Sequence, residues 1–155
     1  MMINWELTFS NLINLALAYA LALPIGLEWE RHARSAGLRT FPLVAVAACG
    51  YMLLGKALFT SEESQARVMF GIITGMGFIG GGAILKGEKV VTGTSTAASL
   101  WNTGAIGMAV AWQRYDIAII LSLVNFLTLR YITFMKNRFK NSKRNGVESE
   151  SDYLD

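Results

Sequence analysis

The chain has 155 residues, a formal net charge of +3, 53% hydrophobic residues and only 16% charged ones. A soluble domain of this size carries about 25% charged residues. Here the charges cluster between long uncharged runs, which excludes an ordinary soluble helical domain: helices apolar on nearly every face would leave no polar surface for water.

The runs are Leu7–Leu27, Thr40–Gly55, Val68–Leu85, Val90–Gln113 and Ile117–Leu129. A membrane-spanning helix needs roughly 20 mostly apolar residues. The first, third and fourth runs approach or reach that length unaided. The second does so if Lys56 snorkels and the helix continues to Phe59, the fifth if Arg130 snorkels and it continues to Met135. The pattern predicts an all-α membrane protein with five transmembrane helices over 1–135, followed by a cytoplasmic tail over 136–155.

No Lys or Arg precedes the first run, which is also long for a signal-peptide core. The run ends in "PIGLEWERHAR", where Pro24 and Gly26 favour a kink. Glu28 has Arg31 and His32 three and four residues on, a spacing for local pairing on a helix. Glu28 and Arg39 abut apolar runs on either side of the first loop and are the candidates for a buried pair. His32 stands alone, without the partners a metal site needs. The second run holds the single cysteine, Cys49, which has no internal disulfide partner and reads as a packing residue. Glu62, Glu63 and Asp116 fall in outer loops and could attract divalent cations only weakly.

The third run contains "GIITGMGFIGGGAILKG", in which Gly75, Gly77 and Gly80 match a dinucleotide fingerprint. That fingerprint follows a strand, opens a helix and needs an acidic residue about 20 positions on; none of this is present. Gly71 and Gly75, and Gly77 and Gly81, are instead four apart, the spacing that lets helix backbones approach in a membrane. The third helix is therefore expected to be central and gripped by its neighbours through Gly71, Gly75, Gly77, Gly80 and Gly81, with a break near Gly80–Gly82 that would expose backbone groups to an ion or polar partner. In the fourth run Ser99, Asn102 and Thr103 are polar residues expected to hydrogen-bond across helices. Its start, "VVTGTSTAASLWNTG", is rich in Thr, Ser and Gly; a re-entrant segment is the alternative to a span beginning near Thr96.

Lys and Arg counts set the orientation. With the N-terminus outside, loops one and three and the tail hold ten basic residues, against three in the outer loops. A re-entrant fourth segment would put the basic tail outside, so a true span is preferred. The tail is basic in "MKNRFKNSKR", suited to anionic headgroups, then acidic and disordered in "NGVESESDYLD". The basic residues lie at membrane edges and belong to no nucleic-acid module.

"LPIGLEWERHARSAGLRTFPLVAVAACGY" followed by "GIITGMGFIGGGAILKGEKVVTGTSTAASLWNTGAIGMAVAW" resembles the MgtC/SapB family of bacterial inner-membrane proteins. The blocks run in order from Pro24 to Trp112: an I-G-x-E turn, A-G-L-R-T, G-x-G-F-[IL]-G-x-G and T-A-A-[ST]-L-W, followed by Gly104-Ala-Ile-Gly107 where the family has G-[IM]-G. The resemblance implies a multi-pass protein of about five spans. It also implies a link to growth in low magnesium and survival inside host macrophages, through modulation of other membrane proteins including the F-type ATP synthase. Carried over by position, its polar residues are Glu28, Arg39, Thr40, Thr96, Ser99 and Asn102. This chain has Thr92 ahead of Gly93 where the family commonly has Arg; as it stops about twenty residues after helix five, the soluble C-terminal domain of many members is expected to be lacking.

No nucleophile–base pair, phosphate loop, cofactor motif or metal cluster is evident, which argues against an enzyme. The first expectation is a regulator or adaptor that binds membrane lipid, other membrane proteins and a second copy of itself, as a homodimer or oligomer. The second is a small oligomeric cation transporter or channel. A membrane enzyme using Glu28 as a base is the third and weakest.

Overall fold

The computed structural model describes residues 4–31, 37–87 and 90–131. His32, Arg34 and Lys89 lie outside the described residues, as does the tail over 136–155.

Five helices and one short hairpin make up the described chain. Helix α1 spans Trp5–Glu30. Its N-cap Asn4 accepts a hydrogen bond from the Leu7 N–H at 3.2 Å, satisfying one of the donors a helix start leaves open. Pro24 lies within α1, which continues past it to Glu30. Helix α2 spans Thr40–Leu58 and α3 spans Glu62–Gly82. Ser61 caps α3 by accepting from the Ser64 N–H at 3.3 Å, and Glu62 and Glu63 in its first turn suit the positive end of the helix dipole.

A hairpin follows, β1 (Leu85–Lys86) antiparallel to β2 (Val91–Thr92) with Leu85 opposite Thr92. The apolar run beginning at Val90 hid this turn from the sequence. Gly93 has φ 87°, and any Cβ there would collide with the Ala83 carbonyl; only glycine fits both conditions. Helix α4 spans Thr94–Ala111, close to the expected start near Thr96. It ends on Gln113 in the left-handed region (φ 58°). The Arg114 N–H bonds to the Ala109 carbonyl and the Gln113 N–H to the Val110 carbonyl, each at 2.9 Å, a Schellman closure with glutamine where glycine is usual. Helix α5 covers 115–131 of the described chain.

Successive helices run in opposite directions. Gly50 of α2 faces Leu15 of α1, whereas Phe41 stacks on Trp29. On α3, Gly80 faces Ala97 and Met76 faces Gly104 of α4. Helices α1 and α5 run the same way, because Tyr115 meets Asn14 and Arg130 meets Glu28. One face of the bundle, the entry face, therefore holds the starts of α1, α3 and α5. The far face holds the end of α1, the start of α2, the hairpin and the end of α5.

Small residues allow the tightest packing. A methyl group on Gly107 of α4 would overlap the Ala45 carbonyl of α2 and sit 3.0 Å from the Ala48 Cβ. Phe41, Ile25, Met52, Leu100, Ile106 and Val110 fill the remaining core, beside Ala18, Ala22 and the buried Cys49. The exterior is strongly apolar: Phe78 is 86% exposed, Trp5 74% and Phe70 71%. Large contiguous apolar surface marks a membrane or partner contact. By length and composition, two helices, Trp5–Glu30 and Thr40–Leu58, are long and apolar enough to cross a membrane.

The third helix is not central. Helix α3 packs on α2 and α4 through one face, where Ile72, Met76 and Gly80 are buried, and most of its other residues are exposed. Nor is it broken at Gly80–Gly82: the Ala83 N–H bonds back to the carbonyls of Ile79 and Gly80, closing an intact last turn. Most of the buried core lies on α1, α2 and α4; α3 adds Ile72 and Met76 to it and α5 adds Ala118.

Candidate functional site

A polar seam runs through the apolar bundle where α5 packs on α1 and α4. At the entry face the Tyr115 hydroxyl donates to Asn14 Oδ1 at 3.1 Å. Further in, the Ser122 hydroxyl donates to the Leu21 carbonyl at 2.6 Å. From α4, Asn102 Nδ2 donates to the Leu121 carbonyl at 3.1 Å and the Ser99 hydroxyl to Asn125 Oδ1 at 3.0 Å. Thr103 donates back to the Ser99 carbonyl at 2.7 Å. Asn14, Ser99, Thr96, Thr103 and Ser122 are all buried. Burying such groups is costly unless they are hydrogen-bonded, so the seam fixes how α5 sits against α1 and α4. Asn125 Nδ2 is buried without a hydrogen-bond partner among the described residues.

Glu28, at the last turn of α1, ends the seam at the far face. It is 6% exposed. Arg31 approaches its Oε2 at 3.7 Å and Arg130 of α5 approaches the same oxygen at 3.9 Å. The i,i+3 pairing expected of Glu28 is present; the pairing with Arg39 is not. Arg39 is exposed at the N-cap of α2 and makes no side-chain capping bond. Helix α5 brings Arg130 to Glu28 instead, a contact 102 positions away in sequence that no local spacing encodes. Thr40, half-buried, opens α2 with its N–H on the Gly37 carbonyl at 3.0 Å. The Leu38 N–H bonds to Glu30 Oε2 at 3.1 Å, anchoring the loop before it.

At the entry face the charges are arranged differently. Arg67 donates to Glu63 at 2.7 Å, and Arg114 donates to both oxygens of Asp116 at 3.0 and 2.8 Å. The Arg114 hydrogen bond draws the Asp116 carboxyl down to about 2. Lys56 is not a free snorkelling cation. Its Nζ donates to the Ala111 carbonyl at 2.9 Å and lies 5.1 Å from the centre of the Trp112 ring, so it caps the negative end of α4 from α2.

Of the glycines assigned to packing, only Gly80 meets a neighbour among the described residues, against Ala97. Nothing lies within 4 Å of the Cβ positions of Gly71, Gly75, Gly77 and Gly81. The first two border an apolar groove of about 530 Å³ between α2 and α3, beside Tyr51, Ile72 and Ile79. The stripe is open backbone on an outward surface. Among the described residues, no three His, Cys, Asp or Glu side chains gather as a metal-holding group.

The described chain is helical, strongly apolar on its exterior, and has two helices long and apolar enough to cross a membrane. The sequence agrees: the chain belongs to the MgtC family, which it matches over residues 15–138. It is 32% identical to YhiD of Escherichia coli (strain K12), described there as a candidate magnesium transporter, over 142 residues, covering 87% of this chain and 66% of YhiD. It is 35% identical to protein MgtC of Salmonella typhimurium (strain LT2) over 118 residues, 76% of this chain and 50% of that one. With slr0014 of Synechocystis it shares 30% over 144 residues, 93% and 61% of the two chains. The chain thus spans about half to two thirds of the length of these curated relatives. No solved structure matches it.

Proposed function

We propose that this MgtC-family chain is a five-span inner-membrane regulator, not an enzyme, that binds other membrane proteins or a second copy of itself through the outer face of α3. The N-terminus lies outside and the far face is cytoplasmic. One observation carries the reading: the backbone at Gly71, Gly75, Gly77 and Gly81 stands open, with nothing of the described residues within 4 Å of each Cβ position. In lipid, helices associate by close packing at small residues, because apolar burial supplies little force there. A helix that used its glycines only for internal packing would turn them inward, as α4 does with Gly104 and Gly107.

Gly75→Leu and Gly77→Leu, made in the full chain in its native membrane, should abolish crosslinked complexes and leave the thermal midpoint in detergent unchanged. Complexes that survive both substitutions would rule the mechanism out.

The polar seam favours a second reading, a small cation transporter in keeping with the name YhiD carries. Its test is ion flux in proteoliposomes of the pure protein; absence of ion-dependent uptake would count against it.

A further inference from the structure

The arginines of the two faces are satisfied differently. At the entry face each has its own carboxylate within hydrogen-bonding distance: Arg67 with Glu63 at 2.7 Å, Arg114 with Asp116 at 2.8 Å. At the far face Arg31 and Arg130 share a single oxygen, Glu28 Oε2, at 3.7 and 3.9 Å. Both separations exceed hydrogen-bond length. Among the described residues neither guanidinium donates a hydrogen bond. Their side chains are 66% and 60% exposed, while that of Glu28 is 8% exposed. Two cations share one buried carboxylate oxygen, and their N–H donors are open at the surface.

The two guanidiniums also lie close to each other. Because both approach one oxygen, the two nitrogens stand no farther apart than the two separations laid end to end, within bridging reach of a phosphate accepting from both sides, about 8 Å. Arg130 lies 5.9 Å from the centre of the Phe126 ring, which holds its guanidinium plane in place. At the same level, Leu27 of α1 and Leu127 and Tyr131 of α5 are exposed, at 42%, 57% and 64%. A cationic pair above exposed apolar side chains at a helix end matches an anionic headgroup with acyl chains below it.

We propose that Arg31 and Arg130 form a binding site for an anionic phospholipid, its phosphate bridging the two guanidiniums and its chains lying on α1 and α5. Glu28 sets the strength of this site by offsetting part of the positive charge. The site clips α1 to α5 across the far face, independently of any partner bound on α3.

The test is native mass spectrometry of the full detergent-purified chain, titrated with phosphatidylglycerol or phosphatidylcholine. Phosphatidylglycerol adducts should exceed phosphatidylcholine adducts several-fold. Arg31→Gln and Arg130→Gln should each remove most of that preference, and Arg67→Gln at the entry face should leave it intact. Glu28→Gln should strengthen phosphatidylglycerol retention by freeing both guanidiniums, a gain that a purely structural ion pair would not produce. Equal retention of the two lipids, equal loss in Arg67→Gln, or weaker retention in Glu28→Gln would overturn the proposal. So would displacement of the lipid by millimolar inorganic phosphate, which would mark a free-anion site. The α3 substitutions leave this readout unchanged, so its failure and that of the partner-binding reading are separable.

Discussion

At the residue scale, two contacts carry sharp consequences. Gly107 touches the Ala45 backbone, so Gly107→Ala should lower stability by about 1–3 kcal/mol through overpacking. Gly75→Ala, on the open face, should be neutral or slightly stabilising, since alanine is the better helix former; thermal unfolding of both variants in detergent checks the contrast. Asp116 offers a pH test. Its carboxyl is held down to about 2 by Arg114. A depressed carboxylate contributes stability above its unfolded value, near 3.9, and loses it as pH falls through the folded value. The thermal midpoint of the wild-type chain should exceed that of Asp116→Asn by a constant amount above about pH 5, and the gap should shrink as pH falls toward 2. The glycine spacing was legible in the sequence, but its direction was not: a four-residue repeat states that two glycines share a face, and only the packing of other helices decides whether that face looks inward. Gly104 and Gly107, three apart on α4, are the inward pair.

At the element scale, all five helices could be read from uncharged runs, because run length and hydropathy are local properties. The hairpin could not, since Val90 and Val91 extend the apolar run that leads into α4 and mask the turn closed by Gly93. The seam was read from one side only. Ser99, Asn102 and Thr103 were visible as polar residues within a span, whereas their α5 partners and the Asn14–Tyr115 and Ser122–Leu21 links depend on helix register. A signal was available in Asn14 and Asn125, each isolated in an apolar run, where a polar residue is costly enough to imply a partner. Snorkelling is the usual fate of a lysine at a helix end, but here the Ala111 carbonyl at the end of α4 and the Trp112 ring claim Lys56 first. Lys56→Met keeps the stem and removes both contacts. It should cost about 1–2 kcal/mol, read as a lowered unfolding midpoint, and an unchanged midpoint would refute the capping role.

For the whole molecule, the alternating direction of five helices has a topological consequence. If each crosses the bilayer, the chain begins on one side and ends on the other, and the two faces of the bundle become the two faces of the membrane. At about 1.5 Å per residue, α1 through α4 are about 39, 28, 31 and 27 Å long, near the roughly 30 Å of a bilayer core. The apolar exterior, the buried seam and the basic far face fit this arrangement together, and among the described residues length and composition single out α1 and α2 as span-like. Helix α3 is weakened on that measure by Glu62, Glu63 and Arg67 in its first turns, and α4 by its Thr, Ser and Gly content. The most direct measurement places single cysteines, in a Cys49→Ala background, at Gln113 between α4 and α5 and at Lys86 in the hairpin. A membrane-impermeant maleimide applied to the outer side of the inner membrane should label Gln113→Cys at once and Lys86→Cys only after the membrane is opened. Equal labelling of the two positions, or the reverse order, would contradict the five-span account.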